Sequence, residues 1–213
     1  MDFIDQKVNE YAEEHSKPES DLLARLNRET YTKVLAPRML SGHLQGRILA
    51  MLAKMLQPKH ILEIGTYTGY SAICLAEGLA PEGKIYTMDI NEELEDIARR
   101  YFEEAGIAPQ VDFRIGNALE IIPTLEVTFD LVFIDADKIN YANYFDMVID
   151  KVAKNGIIIA DNVLWSGKVA KEISKQDKDT LALDHFNKKV HADERVENVL
   201  FPVRDGLMVL RKK

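Results

Sequence analysis

The sequence predicts an α/β protein: a doubly wound, mostly parallel sheet flanked by helices, with a block of helices ahead of it. Three observations carry this reading. From residue 60 onward, short apolar runs alternate with helical stretches. Runs such as Leu131-Val132-Phe133-Ile134 and Ile157-Ile158-Ile159-Ala160 show no polar alternation, which marks strands buried on both faces. Strand–helix alternation of this kind builds a parallel sheet through right-handed crossovers. The tail breaks the pattern: two apolar runs in succession, parted by Arg204-Asp205-Gly206, read as an antiparallel pair closed by an Asp-Gly turn.

The first 56 residues read as helical. Residues 2–15 are polar and amphipathic, and Pro18 opens a second helix that runs to about Leu35, with Glu19 and Asp21 suited to its N-terminus. Pro37 interrupts, Ser41-Gly42 turns the chain, and residues 43–56 form a third helix with a broad apolar face. Strands are then expected at 60–65, 84–90, 111–116, 129–136 and 156–162, with helices at about 70–80, 91–105, 117–125, 140–153 and 178–191, and the closing pair at 195–203 and 206–212.

With 213 residues, 46% of them hydrophobic, the chain suits one core and one domain, 1–213, made of a helical extension (1–56) and a sheet core (57–213). A formal net charge of −8 argues against a dedicated nucleic-acid binder, which needs a basic face. Cys74 is the only cysteine, so no internal disulfide forms, and its apolar helical context makes it a packing residue. The acidic N-terminus is not a signal peptide and no run has the length of a membrane span, which leaves a soluble cytoplasmic protein as the default.

In an open α/β sheet, ligands sit beyond the carboxyl ends of the strands. The first strand ends in Glu63-Ile64-Gly65-Thr66-Tyr67-Thr68-Gly69-Tyr70-Ser71. Its glycines let the backbone turn sharply and approach a ligand, but the spacing is G-x-x-x-G, not the G-x-G-x-x-G that cradles a pyrophosphate. The loop is either a tight turn and nothing more or a cradle for a ligand such as S-adenosylmethionine, which presents a carboxylate, an ammonium and a sulfonium instead of phosphates; Glu63 then balances the ammonium or orients the loop. Asp89, ending the second strand, is placed to accept hydrogen bonds from two ribose hydroxyls, as an NAD enzyme's acid would. Asn117 and Ala118, after the third strand, are placed to meet an adenine edge, and Asn117 reads equally as a helix cap.

The fourth and fifth strands run straight into carboxylates, in Asp135-Ala136-Asp137-Lys138 and Asp161-Asn162. Burying such charges is costly unless they are paired or bind a cation. Asp135, Asp161 and the Asn162 amide oxygen make an all-oxygen set suited to Mg²⁺, Mn²⁺ or Ca²⁺ and poor for zinc. Strand-end salt bridges are the alternative. A cation there would hold an acceptor with two adjacent oxygens and ease its ionisation, with Lys138 taking the proton or steadying the oxyanion.

The segments 62–71, 133–138 and 161–164 together resemble the class I cation-dependent O-methyltransferases, whose best-known branches act on catechols and caffeoyl-coenzyme A. The resemblance runs from about residue 30 to the C-terminus and includes Asp205-Gly206-Leu207. It implies a Rossmann-like seven-stranded sheet of order 3-2-1-4-5-7-6 with the last strand antiparallel. It places S-adenosylmethionine against Met39, Ser41, Glu63, Gly65, Tyr67, Ser71, Asp89 and Ala118, with Asn117 and Asp135 beside them. It assigns a divalent metal, Mg²⁺ first, to Asp135, Asp161 and Asn162, and catalysis to Lys138 with Asp135. Ala136-Asp137 is similar to the caffeoyl-coenzyme A branch and its bacterial relatives, which are commonly homodimers built partly through N-terminal helices.

The expected substrate is therefore a small catechol-like or caffeoyl-type aromatic. A 5-hydroxyuridine in transfer RNA is the alternative acceptor, although Glu172 and Asp177 interrupt the one mildly basic loop (Lys168, Lys171, Lys175, Lys178). An NAD-dependent oxidoreductase and a non-catalytic binding protein are alternatives of other classes. The missing G-x-G-x-x-G weighs against the first, and Lys138 beside three metal-type oxygens against the second.

Overall fold

Local signals in the chain set the helices. The computed structural model describes residues 5–175 and 177–213, so residues 2–4 of the expected first helix lie outside the described residues. Helix α1 spans Gln6–Glu14 and buries none of its side chains. Helix α2 (Asp21–Lys33) starts where the Ser20 hydroxyl accepts a hydrogen bond from the Leu23 amide, and it buries Leu23, Leu26 and Thr30. Helix α3 (Gly42–Leu56) packs against α4 (Tyr70–Ala76) through Gly46, where a methyl group would stand 2.7 Å from the Tyr70 ring and 2.8 Å from Cys74 Sγ. Cys74 is fully buried, and burial pushes its thiol up to about 12, as a packing residue requires.

The strands are β1 (His60–Ile64), β2 (Lys84–Asp89), β3 (Val111–Ile115), β4 (Phe129–Ile134), β5 (Val152–Ala160), β6 (Val196–Phe201) and β7 (Leu207–Lys212). They form one seven-stranded sheet in the order β3-β2-β1-β4-β5-β7-β6. Strand β7 runs antiparallel to both β5 and β6, so the expected order and the reversed last strand are borne out. The remaining helices are α5 (Glu95–Glu104), α6 (Ala118–Ile121), α7 (Tyr141–Val148) and α8 (Lys178–Ala192). Among the described residues no helix is long and apolar enough to cross a membrane.

The chain divides into two units, Gln6–Ala118 and Leu119–Lys213. In the first, β1–β2–β3 pair in parallel, with Ile64 opposite Met88 and Asp89 opposite Ile115. Its core joins α2, α4 and α5 around Leu26, Tyr70, Phe102 and Phe113, and the last two rings meet edge-on at 5.9 Å. In the second, β4 and β5 pair in parallel with Ile134 opposite Ala160. Leu131, Val132, Phe133 and Ile134 are all fully buried, the unalternating run doing what its composition demands. Helix α7 meets α8 there, and the Tyr141 and Phe186 rings touch edge-on at 5.5 Å.

Three expectations shift at their edges. The expected 140–153 helix stops at Val148, passes through one 3₁₀ turn (Ile149–Lys151) and enters β5 four residues before the expected start. That early part is bulged, since Phe129 pairs with Val152 but Leu131 with Ile157, and Asn155 takes a φ of 65° to allow it. The expected 117–125 helix is a single turn followed by a 3₁₀ turn that carries Pro123. The β6–β7 link is no two-residue Asp-Gly turn: Phe201 pairs with Leu207 across a longer loop, with Arg204 and Gly206 left-handed.

Candidate functional site

The candidate residues gather in two clusters, one in each unit. In Gln6–Ala118 the cluster lies beyond β1, β2 and β3. The amides of Gly65 and Thr66 both donate to the Met88 carbonyl, at 2.9 and 3.2 Å, so the chain leaves the strand at once. Gly65 (φ 102°), Tyr67 (φ 51°) and Gly69 (φ 88°) complete the loop. At Gly69 only a hydrogen fits, because a Cβ would stand 2.7 Å from Phe102 Cε1.

Asp89 closes this loop against the next. One of its carboxylate oxygens accepts from the Tyr67 amide at 2.7 Å, the other from the Asn91 amide at 2.9 Å. Asn91 caps the following helical segment, its side chain accepting from the Glu93 amide. Glu63 is fully buried, accepts from the Thr87 hydroxyl at 2.5 Å, and Thr87 in turn meets the Thr66 hydroxyl at 2.6 Å. The Tyr67 hydroxyl reaches the carbonyls of Leu35 and Ala36 at 3.2 and 3.3 Å, which ties the loop to the segment that carries Met39 and Ser41. Met39 is 62% exposed while Ser41 is buried. Ser71 lies in the first turn of α4, and Ala118 opens α6. His43, two residues past Ser41, turns away to Lys17: its Nε2 sits 2.7 Å from the Lys17 carbonyl oxygen.

In Leu119–Lys213 the cluster lies beyond β4 and β5. The pairing of Ile134 with Ala160 brings Asp135 and Asp161 off the sheet at the same level, and the Asp161 amide donates to the Ile134 carbonyl at 2.9 Å. Asp161 is 2% exposed, and its side chain accepts from the Asn162 amide at 2.7 Å. That bond and the left-handed backbone of Asn162 (φ 58°) fix the direction of the amide side chain. The Lys138 ammonium donates to Asp135 Oδ1 at 3.0 Å, to Asn162 Oδ1 at 2.8 Å and to the Tyr141 hydroxyl at 2.6 Å.

A carboxylate oxygen and an amide oxygen thus converge on one positive charge, as a hard cation requires. Among the described residues no three His, Cys, Asp or Glu side chains are arranged to hold a metal, so an ion here would rest on two carboxylates and one amide. The donor set fits Mg²⁺, Mn²⁺ or Ca²⁺ and not zinc.

Tyr141 carries no motif and escapes a reading of the sequence alone, while Asp137 and Asp205 lie in motifs whose partners only the structure gives. Tyr141 is fully buried, and burial, then the nearby Asp135, Asp161 and Asp137 carboxylates, push its hydroxyl well above the usual tyrosine range. Asp137 accepts from the Tyr144 hydroxyl and, at 2.6 Å, from the Asn140 side chain, which pins the 135–140 loop. Asp205 accepts through its carboxylate from the Ser166 amide and through its carbonyl from the Leu164 amide at 2.9 Å. Burial raises the Asp205 carboxyl above the ordinary range. These bonds hold a strained stretch: Trp165, Ser166 and Gly167 are all left-handed. The Trp165 ring lies 5.8 Å from Lys138 Nζ. The available signal for Tyr141 was its place three residues past Lys138 on a helical face.

A parallel sheet ending in an antiparallel hairpin, with a glycine loop after β1 and an oxygen-rich lysine cluster after β4 and β5, defines a class of group-transfer enzyme. The methyltransferase PaMTH1 of Podospora anserina, solved SAH-bound, superposes with a TM-score of 0.89 at 32% identity, covering 97% of this chain and 94% of that one. The O-methyltransferase of Bacillus cereus, solved in complex with SAH, gives 0.89 at 30% identity and 97% of each chain. The caffeoyl-CoA O-methyltransferase of Petroselinum crispum is 39% identical over 79% of this chain and 74% of its own. The chain belongs to the O-methyltransferase family, whose model matches residues 13–213. It is an enzyme that places a methyl group on an oxygen.

Proposed function

We propose that the enzyme takes its methyl group from S-adenosylmethionine and delivers it to one of two adjacent oxygens on a small catechol-like or caffeoyl-type aromatic, with a divalent cation held by Asp135, Asp161 and Asn162. The observation that carries this reading is the convergence of Asp135 Oδ1 and Asn162 Oδ1 on a single cationic atom beside Asp161. Relatives solved with SAH or SAM support the donor, and the caffeoyl-CoA relatives support the acceptor class.

A phenol has a pKa of ~10 and is mostly protonated at neutral pH. A bound divalent ion supplies Lewis-acid polarisation that favours the phenolate. Lys138 receives the phenolic proton when it enters the cycle as the neutral amine, or steadies the oxyanion as the ammonium. The acceptor oxygen then attacks the methyl carbon; the new O–C bond forms as the S–C bond breaks, and the electron pair stays on sulfur. Glu63, Gly65, Tyr67, Ser71 and Asp89, with Met39, Ser41, Asn117 and Ala118, hold the donor, and Asp89 keeps lone pairs for ribose hydroxyls beyond the two amide bonds it accepts. Asp135 serves both groups. We place the enzyme in the cytoplasm as a homodimer; exposed Met51 and Met55 on α3 support a covered face there, which light scattering tests.

The deciding experiment is a methylation screen of catechols, hydroxycinnamates, caffeoyl-CoA and tRNA with and without hydroxylated uridine, run with Mg²⁺ and with EDTA. Turnover of a vicinal-oxygen aromatic that EDTA abolishes and Mg²⁺ restores is expected. Activity indifferent to EDTA overturns the metal reading, and activity on hydroxylated tRNA alone overturns the acceptor.

A further inference from the structure

Tyr141 stands beneath Lys138 in a way the chemistry above leaves unused. Its ring is fully buried, and its hydroxyl lies 2.9 Å from the Asp161 carbonyl oxygen and 3.4 Å from that of Ile134. Carbonyl oxygens only accept, so the single phenolic proton points at them. Toward Lys138 Nζ, 2.6 Å away, the phenolic oxygen is therefore an acceptor. An ammonium has three protons to donate, and Lys138 places them on Tyr141, Asn162 Oδ1 and Asp135 Oδ1. The last two oxygens belong to the set that fits a divalent cation. An ion drawing on both competes for their lone pairs, so only one of the three acceptors of Lys138 lies outside the ion's set. The tyrosine oxygen is that one, and the same ring faces the ammonium at 4.8 Å from its centroid.

We infer that Tyr141 is a positioning residue for Lys138: it keeps the lysine nitrogen beside the cation site once Asp135 and Asn162 are committed to the ion. The hydroxyl reaches this position because Tyr141 opens α7 directly after the turn that carries Lys138. Its donated bond to the Asp161 carbonyl fixes the oxygen relative to β5, so the lysine is referenced to both strand ends. This inference rests on the role proposed for Lys138.

The test compares Tyr141→Phe with Lys138→Met, reading kcat, acceptor KM, and Mn²⁺ affinity by calorimetry. For Tyr141→Phe we expect kcat to fall by about 10- to 100-fold, as a displaced catalytic group costs. Acceptor KM and Mn²⁺ affinity stay within about threefold of wild type, as expected for loss of an interaction made only in the transition state. A kcat loss matched by an equal loss of Mn²⁺ affinity overturns the inference, because the phenol then only braces Asp161; unchanged kcat overturns it as well. If Tyr141→Phe does not fold, 3,5-difluorotyrosine at position 141 keeps the ring and hydroxyl but weakens the oxygen as an acceptor. A smaller kcat loss with unaltered Mn²⁺ binding supports the inference, and no kcat loss overturns it. Full turnover in Lys138→Met removes the catalytic lysine and this inference together, whereas its loss beside an active Tyr141→Phe removes the inference alone.

Discussion

Replacing Gly206 by alanine tests whether the β6–β7 loop supports the carboxylate cluster. Gly206 has a φ of +88°, where an L-residue costs about 1–2 kcal/mol. An added Cβ would also stand 2.6 Å from Leu164 Cγ and 3.0 Å from Leu164 Cβ and Cδ1. Carbon atoms rest at roughly 3.5–4.0 Å, so Leu164 must retreat by about 1 Å, an overpacking cost of about 1–3 kcal/mol. The sum is about 2–5 kcal/mol, or a Tm lower by about 5–15 °C for a chain of this size. Gly106→Ala separates the two terms. Gly106 is also left-handed, at +72°, but a Cβ there meets nothing within 4 Å, so only the backbone cost of about 1–2 kcal/mol applies. Leu164 cannot retreat alone, since its amide donates to the Asp205 carbonyl at 2.9 Å and its neighbour's, that of Val163, to the Gly206 carbonyl at 3.2 Å. Calorimetric melting of both variants and Mn²⁺ titration of Gly206→Ala should show the larger Tm loss and a weakened metal affinity at position 206. Equal losses in the two variants, or an unchanged affinity, would refute the reasoning.

Asp161→Ala should abolish metal-dependent turnover and leave S-adenosylmethionine binding largely intact by calorimetry; equal loss of both would contradict separate clusters. Lys138→Ala should lower kcat by more than it raises acceptor KM, and unchanged kcat would mean that the lysine carries no proton. Stability should depend on pH through Glu29. Bonds to Arg100 foremost, with Tyr101 and Lys33, hold its carboxyl at about 2 against an ordinary 4.5. A depressed carboxyl stabilises the fold fully above the unfolded value and loses that contribution as pH falls toward the folded one. Between pH 4.5 and 2 the Tm of the wild type should therefore fall more steeply than that of Glu29→Gln; parallel curves would remove Glu29 from the acid limb.

The strand ends were legible because an apolar run that stops at a carboxylate is costly unless the carboxylate is put to use. That logic grouped Asp135, Asp161 and Asn162 with Lys138 beside them, and the structure brings Asp135 and Asn162 onto the Lys138 ammonium. The long strands were legible because apolar runs without polar alternation mark burial on both faces, whereas the start of β5 was not, since a bulge at Asn155 has no periodicity to follow. Tyr141 was hard to read because its place three residues past Lys138 says nothing of the two carbonyls that orient its hydroxyl. Asp205 was read as a turn residue, which it is by type, but its carboxylate is spent on the Ser166 amide, a tertiary contact 39 residues away. The Glu63–Thr87–Thr66 chain likewise depends on the β1–β2 register, which no single segment encodes.

The alignment of Ile134 with Ala160 has a thermodynamic corollary. Asp135 and Asn162 are distant in sequence and become neighbours only when that one pairing is correct, so any ion they share is a ligand of the registered sheet alone. Such a ligand raises stability by RT ln(1 + [L]/Kd), which is about 2.7 kcal/mol at a hundredfold excess over Kd. The melting temperature of the purified enzyme should then rise with the logarithm of free Mg²⁺ or Mn²⁺, which would make heat resistance a gauge of how fully the enzyme is loaded.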